Sequence, residues 1–249
     1  MTRRFLILCT IVLVAGCDVG AASIQPSNLP AASAAASAAS APPVTPTPAP
    51  SEAVEASPSS AAFDDISLTG TGSKVAAFTM PEDEAGIVLI SHDGDGKFVV
   101  ATVDADGQRI EGLVDTTGNY RGTVPIDADV DTRGEALAAA FAVEADGPWT
   151  ITVKPMTAAP VWDLATTLEG TGDEVYRVVP ATGGTAGDFV SVDVAYIGDD
   201  HFIVHAYGSA GRSGLADATG DFSEKVGVSD DTFLLGIRGG AGSWSFTPS

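Results

Sequence analysis

The chain has 249 residues and carries 33 acidic against 12 basic side chains, a formal net charge of −21. A surface this acidic repels nucleic-acid phosphates and anionic lipid headgroups. The composition therefore argues against nucleic-acid binding and against charge-driven attachment to a membrane. With two cysteines and three histidines, the sequence also offers little material for disulfides or zinc sites.

The N-terminus has the parts of an export signal. Arg3 and Arg4 precede the apolar run Phe5–Val14, which is too short for a membrane span of about 20 residues. The run leads into Val14-Ala15-Gly16-Cys17, where small side chains precede a thiol. This segment resembles the signal peptide and lipobox of a bacterial lipoprotein. The resemblance implies cleavage before Cys17, lipid on its sulfur, and a place at the cell membrane on the extracytoplasmic side. An ordinary secretory signal and an uncleaved anchor are the alternatives.

Cleavage changes both the charge and the cysteine content. The mature chain would keep 10 basic and 33 acidic residues, a net charge of −23. Cys9 would be removed, so the lipid-bearing Cys17 would be the only cysteine and no disulfide could form. Attachment to the membrane would then depend on acyl chains, which contribute roughly 0.8 kcal/mol per buried CH₂.

Residues 18–61 consist almost entirely of Ala, Ser, Pro and Thr. Such a segment buries too little apolar area to offset the entropy of ordering, so we predict a disordered tether.

From residue 62 onward the composition changes, and several sequence blocks occur twice in the same order. Gly70-Thr71-Gly72 returns as Gly170-Thr171-Gly172, and Gly147-Pro148-Trp149 is matched by Gly242-Ser243-Trp244. We therefore predict two copies of one domain, at residues 62–156 and 161–249, after the signal peptide at 1–17 and the tether at 18–61.

Both copies have the pattern of β-strands. Apolar and polar residues alternate along 149–154 and 190–196, and Asp-Gly and Gly-Asp pairs separate such runs. We predict an all-β fold with two tandem β-sandwich or jelly-roll-like repeats after the disordered linker. Trp149 and Trp244 are predicted core residues. Trp162 is predicted to pack where the copies meet, the alternative being an exposed ring that stacks on a sugar.

Several motifs of the two copies carry a family resemblance. They are Gly-x-Gly-x-x-Val, Phe-Val-Val and Gly-Pro-Trp-Thr-Ile, together with Arg177-Val178-Val179-Pro180 followed by Gly183-Gly184-Thr185. They resemble β-sandwich modules common in exported actinobacterial proteins and, distantly, the pre-peptidase C-terminal family of secreted modules. The resemblance covers Phe63–Ser249 and implies a non-catalytic role in binding or presentation.

The sequence lacks the patterns of a catalytic centre. His92 and His201 each stand close to a turn and are predicted to be solvated loop residues. Neither His201 nor His205 has a histidine counterpart in the first copy, and no Gly-x-Ser-x-Gly elbow is present. We therefore predict no enzyme activity, no catalytic residue and no cofactor.

Asp127, Asp129 and Asp131 are the candidates for a metal site. Calcium takes six to eight oxygen ligands, and this run offers carboxylates at alternate positions. However, Thr132 and Ala138 stand where a calcium-binding EF-hand loop requires Gly and Glu. We predict no metal, with calcium at these three aspartates as the alternative.

These observations favour a lipid-anchored, non-catalytic protein of the cell envelope. It would present two β-sandwich modules to a glycan or protein partner while Cys17 holds it to the membrane. An accessory subunit of an exported enzyme or transporter is the second hypothesis, and a secreted hydrolase the third.

Overall fold

The computed structural model describes residues 63–81, 84–129, 136–179 and 189–249. The predicted signal peptide, Cys17 and the tether over 18–61 lie outside these ranges. Within them, all regular structure is β except a single 3₁₀ turn at Met156–Ala158, which confirms the predicted all-β class. No helix in the described ranges is long and apolar enough to cross a membrane.

The first sandwich contains eight strands. In chain order they are β1 (Ile66–Thr71), β2 (Lys74–Ala77), β3 (Gly86–His92), β4 (Lys97–Val103), β5 (Arg109–Thr117), β6 (Tyr120–Ile126), β7 (Ala140–Glu144) and β8 (Pro148–Pro155). They form two four-stranded antiparallel sheets, ordered β1-β8-β3-β6 and β2-β7-β4-β5.

The second sandwich repeats this arrangement and adds one short strand. Its strands are β9 (Val161–Trp162), β10 (Leu168–Thr171), β11 (Glu174–Val178), β12 (Phe189–Ile197), β13 (His201–Gly208), β14 (Gly211–Thr219), β15 (Phe222–Ser229), β16 (Leu234–Arg238) and β17 (Ser243–Pro248). The sheets are ordered β10-β17-β12-β15 and β14-β13-β16-β11-β9, and β9 pairs in parallel with β11.

Each strand of the first sandwich thus has a counterpart whose number is higher by nine, from β1 and β10 to β8 and β17. In both copies the two sheets pair strands that are distant in sequence, which is the arrangement of an eight-stranded jelly roll. The predicted tandem sandwich fold is therefore present in the structure. Both sandwiches belong to a single compact unit.

The alternating sequence pattern explains the cores. In β8, Trp149, Ile151 and Val153 are at most 2 % exposed, while the intervening residues point away from the core. Val192, Val194 and Tyr196 fill the second core from β12 in the same way.

In each core a buried tryptophan makes the same hydrogen bond to a glycine carbonyl. The Trp149 indole N–H donates to the Gly72 carbonyl at 2.9 Å, and Trp244 donates to Gly172 at 3.0 Å. Both rings are buried, as predicted. The repeated glycines in the sequence thus correspond to repeated tertiary contacts.

Trp162 does not lie at the junction between the copies, where we predicted it from the sequence. It is 2 % exposed, belongs to the core of the second sandwich, and packs edge-on against Phe246 at 5.7 Å. Its indole N–H donates to the Thr166 carbonyl at 2.8 Å. The prediction of a junction residue is wrong because β9 joins the sheet edge beside β11, which turns Trp162 inward.

Candidate functional site

The calcium candidates do not assemble into a ligand set. Asp129 is buried, and its Oδ2 lies 3.5 Å from Nε of Arg212, a cation that disfavours a metal ion at the same place. Oδ2 of Asp127 accepts the backbone N–H of Ala138 at 3.3 Å, and Asp131 lies outside the described residues. In the described part of the chain no three His, Cys, Asp or Glu side chains are grouped to hold a metal.

His92 is a core residue of β3, so its prediction as a solvated loop residue is wrong. Its buried ring stacks on Phe98 at a centroid distance of 4.3 Å. Nδ1 lies 2.9 Å from the Gly118 carbonyl and Nε2 3.2 Å from Oδ1 of Asp146. Tyr196 takes the equivalent place in the second copy. An Asp-Gly turn does follow His92, but the strand continues far enough to carry the imidazole into the core.

The other two histidines lie on one strand, β13. His201 begins β13, is solvent-exposed, and contacts Asp217 with Nε2 to Oδ1 at 2.6 Å. His205 is half-buried further along β13. Burial, followed by the positive charges of Arg212 and Arg238, lowers the pKa of His205 below its usual range.

The two sandwiches meet through a small apolar cluster. Ile87 of β3 contributes from the first sandwich, and Val175, Tyr207 and Leu234 contribute from the second, each at most 4 % exposed. Ala159 of the connecting segment completes the cluster. We call these five residues the junction cluster.

Charged side chains flank the junction cluster. Arg212 Nη1 lies 3.0 Å from Oε1 of Glu111, which comes from the first sandwich. Arg238 donates to the carbonyl of Gly112 at 3.0 Å. Two arginines of the second copy therefore bind the N-terminal part of β5, where the sandwiches meet.

Asp173, in the turn between β10 and β11, makes a further contact between the copies. Its carboxylate accepts the hydroxyl of Tyr120 at 2.7 Å and the backbone N–H of Gly239 at 3.0 Å. Its own carbonyl accepts the N–H of Thr123 at 2.8 Å. The β10–β11 turn, which connects the two sheets of the second sandwich, is thereby fixed against β6 of the first sandwich.

The four tyrosines of the chain lead to a prediction about alkaline pH. Burial, followed by the charge of Glu111, raises the pKa of Tyr207 to about 12. The pKa values of Tyr120, Tyr176 and Tyr196 are also raised, in each case chiefly by burial. Native protein should therefore show less tyrosinate absorbance at pH 10 than urea-unfolded protein, whose phenols ionise near their ordinary pKa of about 10.

The same shifts give the sign of the stability change. A phenol whose pKa is higher in the folded state contributes fully to the free energy of unfolding below about pH 10. For Tyr207 this contribution is lost as the pH rises from about 10 to about 12. Tyr207→Phe should remove the phenol that titrates near the upper end of that window. Coincident native and unfolded titration curves would contradict the prediction.

A cleft of about 620 Å³ opens between the outward face of sheet β1-β8-β3-β6 and the β10–β11 turn. Hydroxyls line the sheet side, from Ser91, Thr123, Thr150 and Thr152, while Thr171 lines the opposite side. Its volume is within the range of about 300–1,000 Å³ that is common for ligand sites. We call this space the first cleft.

The charges in the first cleft differ in their pairing. Lys154 is ion-paired with Asp65, and the Asp173 carboxylate is engaged by the hydrogen bonds described above. Glu174 accepts the hydroxyl of Tyr176. Within the described residues, Arg121 has no such ion pair, so its guanidinium is available to a ligand.

A second cleft of about 570 Å³ lies on the equivalent face of the other sandwich. Ser243 and Ser245 of β17 line it, together with Ile197, which is 69 % exposed. Thr171 and Glu174 line both clefts. The two clefts therefore lie on either side of the β10–β11 turn.

Sequence reasoning did not find these clefts. The alternation along β8 and β17 does mark Thr150, Thr152, Ser243 and Ser245 as outward-facing. The packing of β10–β11 against the first sandwich depends on contacts between residues that are fifty or more positions apart, such as Tyr120 and Asp173, and no local pattern encodes them.

Comparison with known proteins does not assign this chain to a family. No family model and no curated protein matches it. Solved structures that align over 74 % of the chain include a regulatory subunit of a cAMP-independent protein kinase A from Trypanosoma cruzi bound to guanosine, at 9 % identity over 72 % of that chain and a TM-score of 0.22. The corresponding Trypanosoma brucei subunit aligns at 8 % identity over 74 % of each chain, with a TM-score of 0.21. A conserved protein of unknown function from Pseudomonas aeruginosa PAO1 aligns at 9 % identity, over 74 % of this chain and 82 % of that chain, with a TM-score of 0.20. Similarities at this level carry no argument about fold or function.

Proposed function

We propose that this chain is a lipid-anchored, non-catalytic binding protein of the cell envelope. The lipobox Val14-Ala15-Gly16-Cys17 supports the anchor. The observation that carries the binding role is the pair of open, polar clefts on equivalent faces of the two sandwiches.

The contact between the sandwiches suits such a role. The junction cluster and the ion pair between Arg212 and Glu111 hold the copies together, so the clefts keep a constant separation. Two weak sites at a constant separation bind one extended partner more tightly than either alone, because the second contact is intramolecular.

A protein partner, as in an accessory subunit, is the second candidate. Its support is Phe189 and Ile197, two large apolar side chains that are each 69 % exposed. Exposed apolar side chains of this size are frequent anchors in protein interfaces. Stable co-purification of a polypeptide, abolished by Phe189→Ser with Ile197→Ser, would favour this candidate.

The anchor is tested by replacing its thiol. Cys17→Ala should abolish incorporation of an alkyne-tagged fatty acid, because the lipid is attached through that sulfur. Mature protein should also disappear from the membrane fraction. Cys9→Ala is the matched control and should be labelled like the wild type, since Cys9 lies in the part that is removed. Undiminished labelling of Cys17→Ala would contradict the anchor.

The binding role is tested on intact cells that produce the full chain. A photo-crosslinker placed at Leu89, which lines the first cleft, should capture an envelope component. The same crosslinker at exposed Val75 of β2 is the control and should capture none. Equal capture, or none, at both positions would contradict binding in the cleft.

A further inference from the structure

The outward faces of the two equivalent sheets share one chemical character. On the first sandwich the face carries seven hydroxyl side chains. They are Ser67, Thr69, Thr71, Ser91, Thr123, Thr150 and Thr152, which we call the first hydroxyl face. On the second sandwich Thr171, Ser223, Ser243, Ser245 and Thr247 form the second hydroxyl face.

The strand register arranges these hydroxyls in rows. Ser91 pairs with Thr150 on one side and with Arg121 on the other, and Thr150 in turn pairs with Thr69. Neighbouring strands lie about 4.8 Å apart, so a row offers a polar group at each such step. A ligand that lies across the strands meets donors and acceptors at regular intervals, because each hydroxyl can do both.

This arrangement suits a polysaccharide better than a peptide. Strands β3 and β8 are paired on both sides, so their backbone groups are unavailable for the addition of a peptide strand. On these two central strands only side chains remain for a ligand, and hydroxyls complement sugar hydroxyls. Leu89 and Ile197, 37 % and 69 % exposed, offer apolar contacts to the C–H faces of sugar rings.

The charge of the protein restricts the ligand further. A chain with a formal net charge of −21 repels polyanions in solution. Arg121 in the first cleft and Glu169 in the second place opposite charges along the surface, so neither a polyanion nor a polycation matches both. An uncharged chain is compatible with both clefts.

We propose that the two hydroxyl faces together bind one uncharged polysaccharide chain, which passes the β10–β11 turn between the first and second clefts. The shared residues Thr171 and Glu174 make the clefts neighbours, and a single sugar unit does not fill both. This inference rests on the proposed binding function and names its ligand class.

Affinity electrophoresis of the detergent-solubilised full chain tests the proposal. Native gels would contain dextran, mannan, galactan or xylan, with polygalacturonate as the charged probe. At least one uncharged polysaccharide should retard the wild type. Thr150→Val with Thr152→Val, and separately Ser243→Ala with Ser245→Ala, should each weaken retardation about tenfold, as expected for the loss of two hydrogen bonds.

Thr117→Val with Thr219→Val is the matched control, because these exposed threonines lie on β5 and β14 of the other sheets. The control should bind like the wild type, and Thr→Val keeps the side-chain shape and the β-propensity. Arg121→Gln provides a third binding variant that is independent of the threonines.

Four outcomes would overturn the proposal. They are no retardation by any uncharged polysaccharide, retardation by polygalacturonate alone, equal loss in the control, and sensitivity of only one face. Crosslinked capture on intact cells without polysaccharide binding would leave the proposed binding function in place and refute this inference alone.

Discussion

Leu234→Ala is expected to lower the free energy of unfolding by about 2–5 kcal/mol, because it leaves a cavity among fully buried side chains. Leu234 is 0 % exposed and lies in the junction cluster with Ile87, Val175 and Tyr207. Its loss weakens the contact between the copies while the core of each sandwich keeps its side chains. The connecting segment around Met156 should then become more sensitive to limited proteolysis.

Leu235→Ala is the matched control for this substitution. Leu235 is the next residue of β16 and is equally buried, but it faces the core of the second sandwich. A loss of similar size is expected in thermal or urea unfolding, without selective cleavage of the connecting segment. Identical proteolysis patterns for the two variants would contradict a separate role for the junction cluster.

Gly170→Ala is expected to destabilise the chain by about 1–3 kcal/mol through overpacking. A Cβ atom at Gly170 would lie 2.3 Å from Cζ2 of Trp244. The indole has little freedom to move, because it is buried and donates its N–H to Gly172. Near-ultraviolet circular dichroism should report the displaced ring, and the melting temperature should fall by roughly 2–4 °C for each kcal/mol lost.

Gly214→Ala provides the comparison. Gly214 also lies in a strand, but a Cβ atom there meets nothing within 4 Å. Its effect on stability should stay within about 0.5 kcal/mol, as for other surface substitutions. The duplicated position Gly70, whose Cβ atom would lie 2.3 Å from Trp149, should behave like Gly170. A neutral Gly170→Ala would contradict the close packing of glycine on tryptophan.

The turns and the duplication are features that local sequence could predict. Gly118 and Gly220 take φ values of 91° and 82° at the first position of two-residue turns that join strands of opposite sheets, a conformation that favours glycine. Because the same turns, tryptophans and glycines recur in one order, they also indicate equivalent tertiary contacts in the two copies. Burial of Trp149 and Trp244 follows from that order and from the alternation along their strands.

His92 and Trp162 show where local reasoning stops. A histidine beside a turn is usually solvated, but the stack on Phe98 places His92 where the second copy has Tyr196. Trp162 has no strand pattern around it, and it is buried only because β9 pairs with β11. In both cases the deciding contacts join residues that are distant in sequence or belong to a different strand.

The candidate site depends even more on distant contacts. Hydroxyl residues on one face of a strand are visible in the sequence, but a cleft needs a second wall. Asp173 brings that wall into place through Tyr120 and the backbone of Thr123. No periodicity marks Asp173 for this role, since it occupies an ordinary turn.

The sequence by itself determined the fold class, the duplication and the cores, because period-two alternation and turn residues act over a few neighbouring positions. It also supplies the whole argument for the lipid anchor at Cys17. Only the tertiary structure decided that Asp129 faces Arg212, that the copies meet at Leu234, and that the β10–β11 turn forms one wall of a cleft. These depend on burial and charge pairing between the two copies, which local sequence patterns do not specify.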